Sequence, residues 1–140
     1  MHATAPSYLS SLTAPGPALL RLSLRLDAVI TTVNGLAYLA LAGPLESLLG
    51  LDTSLAIPIG IFLTLYGLAV AIIATRPAIK PTATRIVIAA NTAWVLFSLA
   101  TVFVTDTLDL NLIGSTWAVI QAGTVGAFAA LQYLGLRKTQ

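Results

Sequence analysis

Four apolar stretches alternate with short connections in this chain, and every lysine and arginine lies at the same set of ends of those stretches. Each stretch approaches the ~20 apolar residues with which a helix crosses a lipid bilayer. Because cytoplasmic connections retain lysine and arginine, the asymmetry predicts that both termini and the middle connection are cytoplasmic. The seven basic residues are Arg21, Arg25, Arg76, Lys80, Arg85, Arg137 and Lys138. The other two connections carry only the acids Glu46, Asp52, Asp106 and Asp109.

The predicted fold is all-α: an integral membrane four-helix bundle with both termini inside. Only 9% of the residues are charged, against roughly 25% in a soluble domain, so they do not suffice for a water-facing surface of this size. In hydrocarbon, a spanning segment must satisfy its own backbone polar groups, which leaves the helix as the available structure. The predicted spans are residues 26–42, 55–75, 86–104 and 112–134. They lie in one membrane domain, residues 21–138, between a cytosolic tail with the start of an amphipathic lead-in (residues 1–20) and a short C-terminal end (residues 139–140).

Two features bear on how the spans are arranged. The connection between the second and third spans is short and holds Pro77 and Pro81, which predicts that these spans are antiparallel neighbours. A weak internal repeat with an offset of 57 residues aligns Asn34 with Asn91. This repeat is compatible with two hairpins duplicated in the same sense, and it is also compatible with chance.

Polar and aromatic side chains recur at helical spacing in the predicted spans. An amide without a partner in hydrocarbon costs several kcal/mol, so these side chains should face the protein interior. They are compatible with a pocket for a small polar or amphipathic ligand and with interhelical hydrogen bonds that only fix packing. The candidate ligand-binding residues are Asn34, Tyr38, Thr64, Tyr66, Asn91, Trp94 and Gln121. Asp27, at the cytoplasmic boundary, is expected to pair with Arg25 or Arg85, or with backbone N–H groups.

Small residues recur at every fourth position of the last span. This spacing allows the backbone of a neighbouring helix to approach closely. It favours close packing within one chain, and it is also compatible with the seam of a homo-oligomer. The residues of this packing seam are Gly114, Ala118, Ala122, Gly126 and Ala130.

The residue types present argue against a catalytic, metal-binding or cofactor-binding function. The chain has no cysteine, and its single histidine and single methionine are His2 and Met1. We therefore predict no catalytic residue, no metal site and no cofactor held by the chain itself. The net charge is only +2, and the basic residues are spread over three sites beside the membrane, which does not indicate a nucleic-acid partner. The predicted partners are the lipid bilayer and either further copies of the chain or another membrane protein.

Several short motifs are familiar together. They are Asn34-Gly35-Leu36-Ala37-Tyr38, Gly43-Pro44, Arg76-Pro77, Asn91-Thr92-Ala93-Trp94 and Gln132-Tyr133-Leu134-Gly135. In combination they resemble the small four-span DoxX-like integral membrane proteins of bacteria, including actinobacterial members, over about residues 21–138. The resemblance implies a multi-pass protein of the bacterial cytoplasmic (inner) membrane. Because some DoxX relatives serve quinone-linked redox systems as membrane subunits, it implies at most an accessory role in a redox complex.

The sequence thus predicts a small non-enzymatic membrane protein. It would bind an apolar or amphipathic ligand, such as a lipid or a quinone-like molecule, or act as a subunit of a membrane complex. The alternative is a homo-oligomeric channel or carrier with the fourth span at the subunit seam.

Overall fold

The structure is a computed structural model that describes residues 16–105 and 110–139, and it contains helices but no strand within those ranges. The expected all-α class is therefore confirmed. The helices are α1 (Gly16–Ala40), α2 (Ala42–Leu49), α3 (Thr53–Thr75), α4 (Pro81–Ala100), which continues into a π-helical turn (Thr101–Thr105), and α5 (Leu112–Thr139). The predicted positions Asp106 and Asp109 lie outside the described residues.

Three helices are long and apolar enough to cross a membrane: α3, α4 with most of its π-helical turn, and α5. The first two helices meet the same criterion only as a pair, and they are bent by 93° at the break between them. The described chain therefore contains three or four candidate spans. Large apolar side chains such as Leu65, Phe103 and Leu112 are mostly exposed. Such exposure is consistent with a membrane protein, because lipid would cover these side chains.

Local chemistry explains where the helices begin and end. α3 begins after Asp52, whose carboxylate accepts hydrogen bonds from the Ser54 N–H and hydroxyl, each at 2.8 Å, as an N-cap does. It ends before Arg76-Pro77, as the sequence indicated, and Pro81 opens α4, where its missing N–H costs little. α2 ends at Gly50, whose φ of 77° is a conformation that favours glycine.

α1 is the central helix of the packing, because it contacts both α3 and α5. The contact with α3 is close: a Cβ added to Gly35 would lie 2.9 Å from the Gly60 carbonyl oxygen. Towards α5, a Cβ added to Gly135 would lie 2.8 Å from the Leu20 backbone nitrogen. Small residues thus bring α1 against two neighbours, and α4 completes the arrangement by packing on α5.

α3 and α4, the predicted second and third spans, contact each other through side chains, but their backbones come close at few positions. They pack less closely on each other than α1 does on α3 or α4 does on α5, although they are consecutive in the chain and joined by a short connection. Bulky aromatic side chains stand between them, with the Phe62 and Trp94 ring centroids 6.1 Å apart. Their separation leaves an opening at one side of the molecule.

Candidate ligand-binding site

A cavity of about 650 Å³ occupies the space between α3 and α4, and side chains of α1 and α5 also line it. Its size falls within the ~300–1,000 Å³ of typical small-molecule sites. All its lining residues are uncharged, and most are apolar or aromatic. A ligand with an apolar body and a neutral polar group therefore matches this cavity better than an ion does.

Aromatic rings form the wall where α3 and α4 face each other. Phe62 stacks on Tyr66 of its own helix, with ring centroids 5.8 Å apart, and on Trp94 of α4. Trp94 in turn contacts Phe97, with centroids 5.9 Å apart. Contacts between such rings contribute about 0.5–1.5 kcal/mol each. The rings can hold the two helices together without closing the space behind them.

One end of the cavity is bounded by a chain of polar contacts between α1 and α5. The Trp117 Nε1–H donates to the Tyr38 hydroxyl oxygen at 3.1 Å, and that hydroxyl donates to Gln121 Oε1 over a long 3.5 Å. Among the described residues, Gln121 Nε2 is buried and has no partner. Exchanging the two amide atoms would leave the oxygen unpaired instead, so either orientation keeps one hydrogen-bonding position open.

A second amide in the cavity is also unpaired. Asn34 of α1 lines the same space, and no hydrogen bond of its side chain is present in the described part of the chain. Asn34 is only partly buried, whereas the unpaired Gln121 nitrogen is buried, and an unpaired buried amide atom costs about 1–3 kcal/mol. A ligand that offered a carbonyl or hydroxyl group to Asn34 and Gln121 would remove that cost.

The other end of the cavity rests on a hydrogen-bonded cluster, the Asp27 network, formed by Asp27, Thr31, Tyr66, Asn91 and Gln132. The Asp27 side chain is fully buried. Its Oδ2 accepts from Asn91 Nδ2 and Gln132 Nε2, both at 2.8 Å, and its Oδ1 accepts from the Thr31 hydroxyl at 2.8 Å. The carboxyl thus joins α1 to both α4 and α5.

The remaining polar atoms of the Asp27 network are paired as well. Asn91 Nδ2 also donates to Gln132 Oε1 at 3.1 Å, and the Tyr66 hydroxyl donates to Asn91 Oδ1 at 3.0 Å. Tyr66 extends the network to α3, so four helices meet here. Complete satisfaction of buried polar groups is what a packing function requires.

The expected partners of Asp27 were wrong. In place of Arg25, Arg85 or backbone N–H groups, neutral side chains donate to its carboxyl. The reason is its depth: α1 begins at Gly16, so Asp27 lies near the middle of that helix instead of at the start of a span.

The structure brings most of the candidate ligand-binding residues to one cavity. Those that line it are Asn34, Tyr66, Asn91, Trp94 and Gln121. Tyr38 lies behind Gln121 as its hydrogen-bond partner. Thr64 lies elsewhere: its hydroxyl donates to the Gly60 carbonyl of its own helix at 2.8 Å, and it faces Gly35 in the α1–α3 contact.

The residues of the packing seam do not share one environment. Gly114 lies against the Leu49 carbonyl, and Ala122 is buried. Ala118 and Gly126 are half-buried, whereas Ala130 is exposed. A strict four-residue spacing drifts around an α-helix, so part of the seam packs within the chain and part faces outward.

Sequence reasoning missed Gln132, Phe62 and Trp117 as members of this region. Gln132 carried a usable signal, because it is a second glutamine in the last apolar stretch. Phe62 and Trp117 carried none, since an aromatic residue that lines a cavity has the same sequence pattern as one that faces lipid.

Two acids of the connection between α1 and α3, Glu46 and Asp52, form local hydrogen bonds. Glu46 Oε1 accepts from the Thr53 N–H and hydroxyl, both at 2.8 Å. The hydrogen bonds from the Ser54 N–H and hydroxyl lower the pKa of the Asp52 carboxyl below its ordinary value. Both side chains thus stabilise the start of α3.

Comparison of this chain with protein-family models, with curated proteins and with solved structures finds no match. The resemblance to DoxX-like proteins stays a prediction, and the function must be argued from the cavity itself.

Proposed function

We propose that this chain is a small non-enzymatic protein of the bacterial cytoplasmic membrane that binds one neutral amphipathic molecule, a lipid or a quinone-like compound, between α3 and α4. The observation that carries the proposal is a cavity walled mostly by apolar and aromatic groups and lined by Gln121, whose amide nitrogen has no hydrogen-bond partner among the described residues. A ligand carbonyl would accept from that amide, and its apolar body would lie along the rings.

The ligand would enter sideways from the bilayer. The backbones of α3 and α4 come close at few positions. The space between them is crossed by side chains: the Phe62–Trp94 stack and the Tyr66 hydroxyl, which donates to the Val87 carbonyl and to Asn91. Movement of a few rings would open the cavity to the hydrocarbon, where an apolar molecule is concentrated.

The proposal includes four spans with both termini inside, with the first span in α1 and α2 at the outer face of the membrane. The Arg21 guanidinium donates to the carbonyls of Ala74, Arg76 and Pro77 at 2.6–3.0 Å, which brings the first arginine to the α3–α4 connection. Because lysine and arginine are retained on the cytoplasmic side, the end of the molecule that holds Arg21 and the α3–α4 connection would lie in the cytoplasm.

Cysteine labelling tests that orientation, because the chain has no cysteine of its own. Ser47 and Ala78 are both exposed and lie in the α2 region and the α3–α4 connection. In intact cells, a membrane-impermeant maleimide should label Ser47→Cys and leave Ala78→Cys unlabelled until the membrane is opened. The reverse pattern would overturn the proposed topology.

Native mass spectrometry of the protein in mild detergent tests the ligand. We expect one bound molecule per chain that carries a carbonyl or hydroxyl group. Gln121→Leu should lower its occupancy about tenfold, as expected for the loss of one hydrogen bond to a buried polar group. Thr64→Val is the matched control, since Thr64 lies away from the cavity. Equal occupancy in both variants would contradict the proposal.

The same experiment addresses the alternative of a homo-oligomeric channel or carrier. Gly114 and Ala122 of the packing seam are used within one chain, which supports a self-contained protein. A symmetric oligomer with a continuous polar axis and an empty cavity would replace the ligand-binding proposal. Co-purification with a cofactor-bearing membrane protein would instead identify the chain as an accessory subunit that carries the ligand.

A further inference from the structure

A second concave site, the basic groove, lies between the first part of α4 and the last turns of α5. It has a volume of about 390 Å³, and its lining residues are Arg85, Ile88, Ala89, Tyr133, Leu136 and Arg137. Two arginines from different helices therefore flank one space. The groove is separate from the cavity, with which it shares no lining residue.

The two arginines of the basic groove are available for a ligand, unlike Arg21. The guanidinium of Arg21 is occupied by three backbone carbonyls. Arg85 and Arg137 are exposed, and within the described residues neither forms an ion pair with a carboxylate. Two unneutralised guanidinium groups beside one groove favour an anion, and arginine matches phosphate geometry in particular.

Tyr133 holds one of these arginines over the groove. The Arg137 guanidinium lies over the Tyr133 ring, 5.8 Å from its centroid, and Nη1 donates to the Tyr133 hydroxyl oxygen at 3.4 Å. Such stacking keeps the charge close to apolar surface instead of extended into water. The Tyr133 hydroxyl hydrogen remains available to donate to an anion as a third group.

The floor of the groove distinguishes a lipid from a free anion. Ile88, Ala89 and Leu136 contribute apolar surface beside the two charges. Free phosphate would not contact that apolar surface, whereas the glycerol and upper acyl chains of a phospholipid would cover it. Basic residues at the membrane surface attract anionic lipids in general, and here they are combined with a shaped apolar contact.

We infer that the basic groove binds the phosphate headgroup of an anionic phospholipid, with Arg85 and Arg137 on the phosphate oxygens and Tyr133 as an additional donor. The inference rests on the membrane placement in the proposed function but not on the ligand of the cavity. It gives the protein two lipid sites of different chemistry: a neutral one between α3 and α4 and an anionic one between α4 and α5.

Titration of delipidated protein with phosphatidylglycerol or phosphatidylcholine of identical chains, followed by native mass spectrometry, tests this site. We expect the preference for phosphatidylglycerol to fall about 25-fold in the double variant Arg85→Gln/Arg137→Gln, with a contribution of about fivefold from each arginine. Each single variant should lose about fivefold, which keeps the test valid if the double variant does not fold. Arg25→Gln, an exposed arginine of α1 outside the groove, is the matched control and should keep the preference.

Three results would overturn the inference. They are equal binding of the two lipids by the unaltered protein, an equal loss in Arg25→Gln, and displacement of phosphatidylglycerol by millimolar inorganic phosphate. The ligand of the cavity should remain bound in all the arginine variants. Gln121→Leu tests the cavity ligand, and the arginine variants test phosphatidylglycerol binding. Failure of one proposal is therefore distinguishable from failure of the other.

Discussion

Two glutamines on α5 have opposite hydrogen-bonding states: Gln121 lines the cavity, whereas Gln132 lies outside it in the Asp27 network. Gln132 is fully buried, and both its amide atoms are paired with Asp27 and Asn91. Gln121 keeps one amide atom without a partner. The comparison separates a polar residue whose hydrogen bonds are complete, as packing requires, from one that keeps an open hydrogen-bonding position, which the proposed ligand would fill.

The largest effect should come from removing the centre of the Asp27 network. Asp27→Leu leaves Asn91 and Gln132 N–H groups without their acceptor and loses the bond from Thr31 as well. We expect the free energy of unfolding in detergent to fall by about 3 kcal/mol. Asp27→Asn, which keeps one acceptor oxygen, should lose less. Unchanged stability in Asp27→Leu would show that the network does not hold the helices together.

A smaller loss should follow replacement of the paired glutamine. Gln132→Leu removes two hydrogen bonds and keeps a similar volume, so we expect a loss of about 1.5 kcal/mol. Denaturant titration followed by circular dichroism measures it. The cavity ligand should stay bound, since Gln132 does not line the cavity. Complete loss of the ligand from a folded Gln132→Leu variant would contradict the assignment of Gln132 to packing and Gln121 to ligand binding.

The unpaired glutamine should respond in the opposite direction. Gln121→Leu removes a buried amide atom that has no partner, so the ligand-free protein should gain about 1 kcal/mol in the same titration. The gain is expected alongside weaker ligand binding. If Gln121→Leu destabilised the ligand-free protein as much as Gln132→Leu does, the open hydrogen-bonding position would not be a feature of the folded chain.

The smallest effect is expected at Thr64, which the sequence pattern grouped with the ligand-binding residues. Its hydroxyl bonds to the backbone of its own helix, so Thr64→Val should change stability by less than about 0.5 kcal/mol. Ligand occupancy should be unchanged. A clear drop in occupancy, measured by native mass spectrometry, would show that the site extends into the α1–α3 contact.

The sequence predicted the helical class, and local signals such as Arg76-Pro77 and Pro81 marked helix ends correctly. It did not predict the separation of α3 and α4, because chain order and a short connection say nothing about bulky rings between two helices. Asp27 was misplaced because α1 extends well before the apolar stretch. Depth and shared facing grouped Asn34, Asn91 and Gln121, which line one cavity, but the sequence does not distinguish paired amides from unpaired ones.

The most direct test fills the cavity. Ala90 lines it, whereas Ala127 is exposed on α5 and lies outside it. Native mass spectrometry of Ala90→Phe should show a folded protein that has lost its bound amphipathic molecule, while Ala127→Phe retains one per chain. Retention of the molecule at the same occupancy in Ala90→Phe would contradict the assignment of the space between α3 and α4 as the ligand site.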